Sequence, residues 1–197
     1  MKLFPILLIS AISATPIFAQ ENRQLDAHEH GVGQLDIAFE GNQILIDLHV
    51  PGADIVGFEY SAENADDRAA IDAAIATLMR PLNLFILPDA AGCSVVNSSA
   101  VLESEEDHGV HDDEHTSEDD GHDDHAEEDR ENIAGHTDFH AEYLLTCADS
   151  AAITDITFAY FDAFPNTLEV EVQTISDAGA ASFEVKRSMP TLDLRGM

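Results

Sequence analysis

Histidine and carboxylate side chains are concentrated in the segment EEDHGVHDDEHTSEDDGHDDHAEEDR, which runs from Glu105 to Arg130. Fourteen of its 26 residues are Asp or Glu, so the segment has too few apolar side chains to build a core. Neutral imidazole is the commonest side-chain metal ligand, and carboxylates serve as further ligands or as acceptors behind them. The segment therefore predicts a loop that collects metal ions. Its histidines are His108, His111, His115, His122 and His125.

Zinc fits this segment, because Zn²⁺ accepts nitrogen and oxygen ligands in a tetrahedron and closely spaced histidines can close around it. Copper and nickel remain alternatives, since raw affinity favours Cu²⁺. An EF-hand calcium loop is disfavoured, because its first position would be Thr116 and its usual apolar position is Asp123. The competing interpretation is a solvated linker, since charge runs are usually exposed. Half of the chain's ten histidines lie in this segment, which favours metal capture. Protons compete for imidazole, so binding should weaken as the pH falls toward about 6.

A second group of histidines lies in parts of the chain with strand-like patterns. His28 and His30 flank Glu29 before the first strand, and His136 and His140 lie on the strand that returns from the acidic segment. These pairs predict one ordered metal site, which Glu142 completes or buffers; surface histidines without a ligand role are the alternative. For His49, a hydrogen-bonded position in the sheet is favoured over a ligand role. The predicted ordered site therefore comprises His28, His30, His136, His140 and Glu142.

The charge of the chain limits its partners. The formal net charge is −31, and removal of residues 1–19 would take away Lys2 and leave −32. Phosphate contacts need Lys and Arg, so nucleic acid is excluded as a partner, and anionic membrane surfaces are disfavoured. An acidic surface instead concentrates cations around the protein.

The first 19 residues, MKLFPILLISAISATPIFA, predict a secretory signal peptide with a short apolar stretch after Lys2 and a cut near Ala19. No later segment is apolar enough to span a bilayer, so we expect an exported protein without membrane insertion. Residues 20–197 are predicted to form a single domain, with residues 103–135 as a disordered insertion. In an oxidising compartment Cys93 and Cys147 are expected to form a disulfide, with a cysteine metal site as the alternative.

The patterning predicts an α+β fold with a mostly antiparallel sheet of six or seven strands and one or two helices. Two alternating runs around Gly41-Asn42 predict a β-hairpin, and LEVEVQTI with SFEVKRS predicts another around Asp177 to Gly179. The stretch SAENADDRAAIDAAIATLMRP predicts a helix capped by Ser61 and stopped by Pro81. LFILP predicts a short strand, and ITDITFAYFDAFP fits either a strand or a helix.

The two cysteines also predict a strand register. If Cys93 lies opposite Cys147 in an antiparallel pair, Val95 lies opposite Leu145, and Val101 lies opposite Phe139. The apolar members then fall largely on one face, as the two-residue period of a strand requires. The acidic segment becomes a long loop at the tip of this hairpin, and the disulfide lies at its base.

Three blocks of the chain together resemble the ZrgA-like family, which are small periplasmic zinc-binding proteins of Gram-negative bacteria. The blocks are AHEHGVGQLDIAFEGNQILIDLHVPGADIVGFEY, HTDFHAEYLLTCAD and FDAFPNTLEVEVQT, with a His/Asp-rich insertion between the halves. The resemblance implies zinc binding in the periplasm and a role in zinc acquisition under scarcity beside a zinc uptake transport system. His28, His30, His136 and His140 match histidine-bearing family segments, whereas Tyr60 stands where many members carry His.

Three functional classes can be distinguished on these residues. The favoured class is a zinc-capture protein that passes Zn²⁺ to an uptake system. The second is a metal buffer or storage protein without a delivery partner. The third, a secreted metalloenzyme, is disfavoured, because the sequence has no HExxH helix and no nucleophile motif to accompany an open zinc site.

Overall fold

The computed structural model describes residues 29–104 and 136–195. The predicted signal peptide, His28 and the five histidines between Glu105 and Arg130 lie outside these residues. Glu103 and Ser104, which the sequence assigned to the insertion, belong to the end of an ordered strand.

Nine strands and four short α-helices make up the described part of the chain. The strands are β1 (Val32–Glu40), β2 (Gln43–Pro51), β3 (Phe85–Ile86), β4 (Cys93–Ser104), β5 (Thr137–Cys147), β6 (Asp155–Phe158), β7 (Glu169–Ser176), β8 (Gly179–Lys186) and β9 (Thr191–Asp193). The helices are α1 (Gly52–Ile55), α2 (Ala65–Leu78), α3 (Pro81–Leu84) and α4 (Tyr160–Ala163). The predicted α+β, mostly antiparallel fold is confirmed, and three of the strands form a small separate sheet that raises the count above the predicted six or seven.

Six strands form the main sheet, in the order β4-β5-β2-β1-β7-β8. All neighbours are antiparallel except β1 and β7, which run parallel. The hairpins predicted around Gly41-Asn42 and around Asp177 to Gly179 are both present. The turn between β1 and β2 lies at Gly41 and Asn42, where Gly41 has a φ of 59° that favours glycine. The β7–β8 turn joins Ser176 to Gly179, which are paired in register.

One face of the main sheet is buried and forms the inner face. The small sheet, in the order β3-β6-β9, and the helices pack on this side. An aromatic cluster joins the two layers, since Phe85 of β3 contacts Tyr143 of β5, Phe158 of β6 and Tyr160 of α4. The segment with the ambiguous pattern supplies both β6 and α4, so strand and helix follow each other within it.

Helix α2 begins later than predicted. Its N-cap is Asn64, whose Oδ1 accepts hydrogen bonds from the backbone N–H groups of Asp66 and Asp67. The prediction of Ser61 as the cap is wrong, because Asn is at least as good a capping residue and lies directly before the apolar positions. Pro81 starts α3 rather than ending α2 directly.

Strands β4 and β5 form the predicted hairpin, and the disulfide between Cys93 and Cys147 is present at its base. Val95 lies opposite Leu145, as predicted. The opposite end of the hairpin, where Ser104 pairs with Thr137, is the point at which the chain enters and leaves residues 105–135.

A β-bulge between Val95 and Asn97 changes the rest of this register by one residue. Val101 lies opposite His140, so the prediction that it faces Phe139 is wrong. An extra residue on one strand of a pair moves the following side chains to the other face. Val101 is consequently exposed, and Leu102 packs against the core instead.

Within the described residues, no helix is both long enough and apolar enough to cross a membrane.

Removal of the disulfide by a Cys93→Ser, Cys147→Ser double substitution is expected to lower the free energy of unfolding by up to about 4 kcal/mol. The bridge joins residues 54 apart in sequence, and it lowers the entropy of the unfolded chain by an amount that rises with the logarithm of the loop length. Urea unfolding followed by circular dichroism measures the loss. Dithiothreitol should destabilise the native chain to a similar extent and leave the double variant unchanged. Equal stability of both chains without reductant would contradict this prediction.

Candidate metal centre

The outer face of the main sheet carries polar side chains that alternate with the core residues. Asp47 and His49 are two residues apart on β2 and therefore point to the same side. The pairing of β2 with β5 sets His49 directly opposite His140. On the other side of β5, the bulged register of β4 brings Glu103 to the same face. These four residues are called the Asp47 cluster.

The ligand atoms of the Asp47 cluster converge on one carboxylate oxygen. His140 Nε2 lies 2.9 Å and His49 Nε2 lies 3.1 Å from Oδ1 of Asp47. The two imidazole rings are stacked, with centroids 4.1 Å apart and an interplanar angle of 14°. One ligand atom from each of Asp47, His49 and His140 lies within 4.8 Å of the others, so these residues could hold a metal ion.

Glu103 supports this arrangement from behind His140. Its Oε1 lies 3.3 Å from His140 Nδ1. If a metal binds at Nε2 in place of the contact with Asp47, the single N–H of a neutral imidazole lies on Nδ1, where it can donate to Glu103. A carboxylate in this position fixes the tautomer and orientation of a histidine ligand.

The surroundings of the Asp47 cluster are acidic and partly open. The His140 side chain is 21% exposed, whereas those of Asp47 and His49 are 43% and 46% exposed. Partial burial raises the pKa of the neighbouring Asp36 above its ordinary value, the charge of Asp47 raises it further, and His49 lowers it. Two carboxylates next to each other on a surface attract cations, and the exposure leaves room for an ion to enter.

A second group of histidines meets at Glu59, in the segment after α1. His30 Nε2 lies 3.4 Å from Oε1 of Glu59, and His136 Nδ1 lies 3.1 Å from Oε2. His30, Glu59 and His136 are called the Glu59 cluster. Beneath it, the buried carboxylate of Asp54 accepts the backbone N–H of Gly31, at 2.8 and 2.9 Å from its two oxygens.

Burial raises the pKa of Asp54, and the charge of Glu59 raises it further. The Gly31 N–H bond and His30 lower it. Asp54 therefore lies in the electrostatic range of the Glu59 cluster and holds the backbone beside His30.

The residues of the predicted ordered site thus lie in two places. His30 and His136 are together at Glu59, and His140 lies in the Asp47 cluster. His136 and His140 are four positions apart, a distance of about 13 Å along an extended chain. Glu142 lies opposite Asp47 in register, and it is not among the residues of the described chain that form the three-ligand group.

The sequence interpretation missed Asp47, Glu103 and Glu59. Asp47 and His49 are two residues apart in a strand, and the positions on either side of each are apolar, so the sequence already indicated that both lie on the exposed face. Glu103 was hidden by the bulge, which changes the face on which it lies. Glu59 lies outside any periodic element, so no pattern singles it out. Tyr60 is 41% exposed and stacks on Phe58, with ring centroids 4.7 Å apart.

An Asp54→Ala substitution is expected to destabilise the fold by about 1–3 kcal/mol, because the buried N–H of Gly31 loses its acceptor. Asp54→Asn should cost less, since its amide oxygen can still accept that hydrogen bond. Urea unfolding at neutral pH measures both variants. The interpretation of Asp54 as a backbone clamp fails if the Ala variant is as stable as the native chain.

Comparison with known proteins adds one match. The model of a family described as ZrgA family zinc uptake protein matches residues 27–194, which include both clusters and the acidic segment. The resemblance drawn from the sequence blocks is thereby confirmed. A search of curated proteins finds no match.

Proposed function

The chain belongs to the ZrgA family of zinc uptake proteins, and from this premise we propose that it captures Zn²⁺ in the periplasm and assists zinc uptake under scarcity. It acts as a binding protein and not as an enzyme. A zinc uptake transport system is the proposed recipient of the ion.

The Asp47 cluster carries this proposal. Two imidazole nitrogens and a carboxylate oxygen lie within 4.8 Å of one another, and this donor set suits Zn²⁺. The Nε2 atoms of His49 and His140 both contact Asp47 Oδ1. The ion would replace these contacts, so the three side chains are already gathered when it arrives.

Partial exposure makes this a site for exchange. Three protein ligands leave a coordination position for water or for a ligand from a partner, and closed four-ligand sites lack such a position. The side chains of Asp47 and His49 are nearly half exposed, so an acceptor can approach them. A capture protein needs both properties, because it must bind an ion and then release it.

The acidic segment is proposed to load the site. It joins β4 to β5 at the end of the hairpin where Ser104 pairs with Thr137. Glu103 and His140 lie within four residues of this end. Ions gathered by the histidines of the segment would therefore be released close to the Asp47 cluster.

Export to the periplasm is supported by the signal-like start of the chain and by the disulfide, because disulfides persist in oxidising compartments.

The alternative is a metal buffer without a delivery partner, which the exposure of the ligands and the number of histidines in the acidic segment would also serve. The two functions differ in phenotype. Loss of a capture protein impairs growth when zinc is scarce, whereas loss of a buffer impairs tolerance of excess zinc.

Replacement of residues 106–134 by a short Gly-Ser linker is expected to lower the number of Zn²⁺ ions bound while at least one site persists. The ligands of the Asp47 cluster lie on strands and do not depend on the segment for their register. Calorimetric titration of both chains with Zn²⁺ at neutral pH measures this. An unchanged urea midpoint controls for folding. Loss of all binding would leave the buffer function, with the folded domain as a carrier.

In the linker variant, His140→Gln is expected to weaken zinc binding at the Asp47 cluster at least about tenfold, because it removes a ligand together with the bond to Glu103. Glu142→Gln is the matched control, since Glu142 is on the same strand and face but outside the three-ligand group. Competition with a zinc-binding dye measures both affinities. Equal affinities for the two variants would contradict the assignment of this site.

A further inference from the structure

Glu59 is a carboxylate with little access to water and an unusual set of partners. Its side chain is only 14% exposed. Within the described residues, its ion-pair contacts are to the imidazoles of His30 and His136, one at each oxygen. Carboxylates removed from water are normally balanced by Lys, Arg or a metal ion, because an unpaired charge in a partly buried place is costly.

The charge around Glu59 is unbalanced when both imidazoles are neutral. Asp54 lies close enough to interact electrostatically with Glu59, and it is only 3% exposed. Its hydrogen-bond donor is the backbone N–H of Gly31, which carries no net charge. Two carboxylates with two neutral histidines leave a negative site that a divalent cation would neutralise.

The backbone holds the three residues of the Glu59 cluster in place. Gly31, the residue after His30, is hydrogen-bonded through both its N–H and its carbonyl. The N–H of Gly31 donates to Asp54, and its carbonyl accepts from Leu168 and Glu169 at 2.8 and 2.9 Å. The start of β5 packs against α1 so closely that a Cβ on Gly52 would lie 2.5 Å from Thr137 Oγ1 and 2.8 Å from the carbonyl oxygen of Phe58. His136 is next in sequence to Thr137, and Glu59 is next to Phe58. Both residues therefore adjoin closely packed backbone.

The imidazoles, in contrast, are accessible. The side chains of His30 and His136 are 65% and 52% exposed. An ion can reach both rings. Among the described residues, only Asp47, His49 and His140 have three ligand atoms within 4.8 Å of one another, so an ion at Glu59 would have to draw the two imidazoles closer together. A fixed, largely buried carboxylate with two accessible imidazoles offers one oxygen and two nitrogen ligands, and this set again suits Zn²⁺.

We propose that Glu59, His30 and His136 form a second zinc site, separate from the Asp47 cluster, so that the folded part of the chain binds two Zn²⁺ ions. This inference rests on the proposed function for the identity of the ion. The two sites share no residue. His140 lies on β5 and His136 directly precedes this strand, about 13 Å away along an extended chain. Structural hydrogen bonding between three chain segments is the competing explanation of the cluster.

The test observes each histidine of the full chain separately. Side-chain ¹⁵N resonances of His30, His136, His49 and His140 are assigned from single His→Gln variants and followed during titration with ZnCl₂ alone. In an Asp47→Asn variant, we expect His30 and His136 to respond as in the native chain. In a Glu59→Gln variant, we expect the resonances of His30 and His136 to need at least about tenfold more zinc before they shift. The resonances of His49 and His140 should shift at the same zinc concentration as in the native chain.

Glu63→Gln is the matched control, because Glu63 is exposed and lies near Glu59 in sequence without a histidine contact among the described ion pairs. Backbone amide spectra of each variant report folding. If Glu59→Gln disturbs the fold, His136→Gln replaces it, with His30 as the reporter. The inference is overturned if His30 and His136 stay unchanged after every other histidine has responded, or if Glu59→Gln leaves their response unaltered. If zinc shifts the resonances of His30 and His136 but not those of His49 and His140, the Asp47 site is refuted and the Glu59 site is supported.

Discussion

The antiparallel pairing of β2 with β5 is the contact on which the rest of the structure depends. Its register sets Leu48 opposite Ala141 on the inner face and His49 opposite His140 on the outer face. Because side chains alternate along a strand, a slip of one residue would bring imidazoles into the core and expose the apolar residues. The free energy that favours burial of the inner face therefore also keeps the candidate metal ligands together. The aromatic contacts of Phe85 with Tyr143 strengthen this register from the core side.

The two ends of the β4–β5 hairpin differ in how they are connected. The disulfide between Cys93 and Cys147 fixes one end, and the acidic segment leaves from the other. The bulge near Val96 lies between them and brings Glu103 to the outer face, where it contacts His140. A local irregularity in an edge strand thus adds a carboxylate to a face that would otherwise present a different residue.

Both clusters combine a carboxylate with imidazoles, but they differ in where the charge is held. In the Asp47 cluster the carboxylate and His49 are similarly exposed on the outer face of the main sheet. In the Glu59 cluster the carboxylate is mostly buried and the imidazoles are exposed. A buried charge depends more strongly on a balancing cation, since water screens it less. The two proposed sites would accordingly differ in affinity.

Local chemistry in the sequence determined a large part of this protein. Gly41-Asn42 and the alternating runs around it determined the first hairpin, and the two cysteines determined the base of another. These features depend on neighbours in sequence, through turn conformation and strand period. The cap at Asn64 rather than Ser61 was missed because both residues suit the position. Only the tertiary structure decided the bulge and the division of the histidines between two clusters. Glu59 and His136 are 77 residues apart, and packing of α1 against β5 brings them together, which no local period encodes.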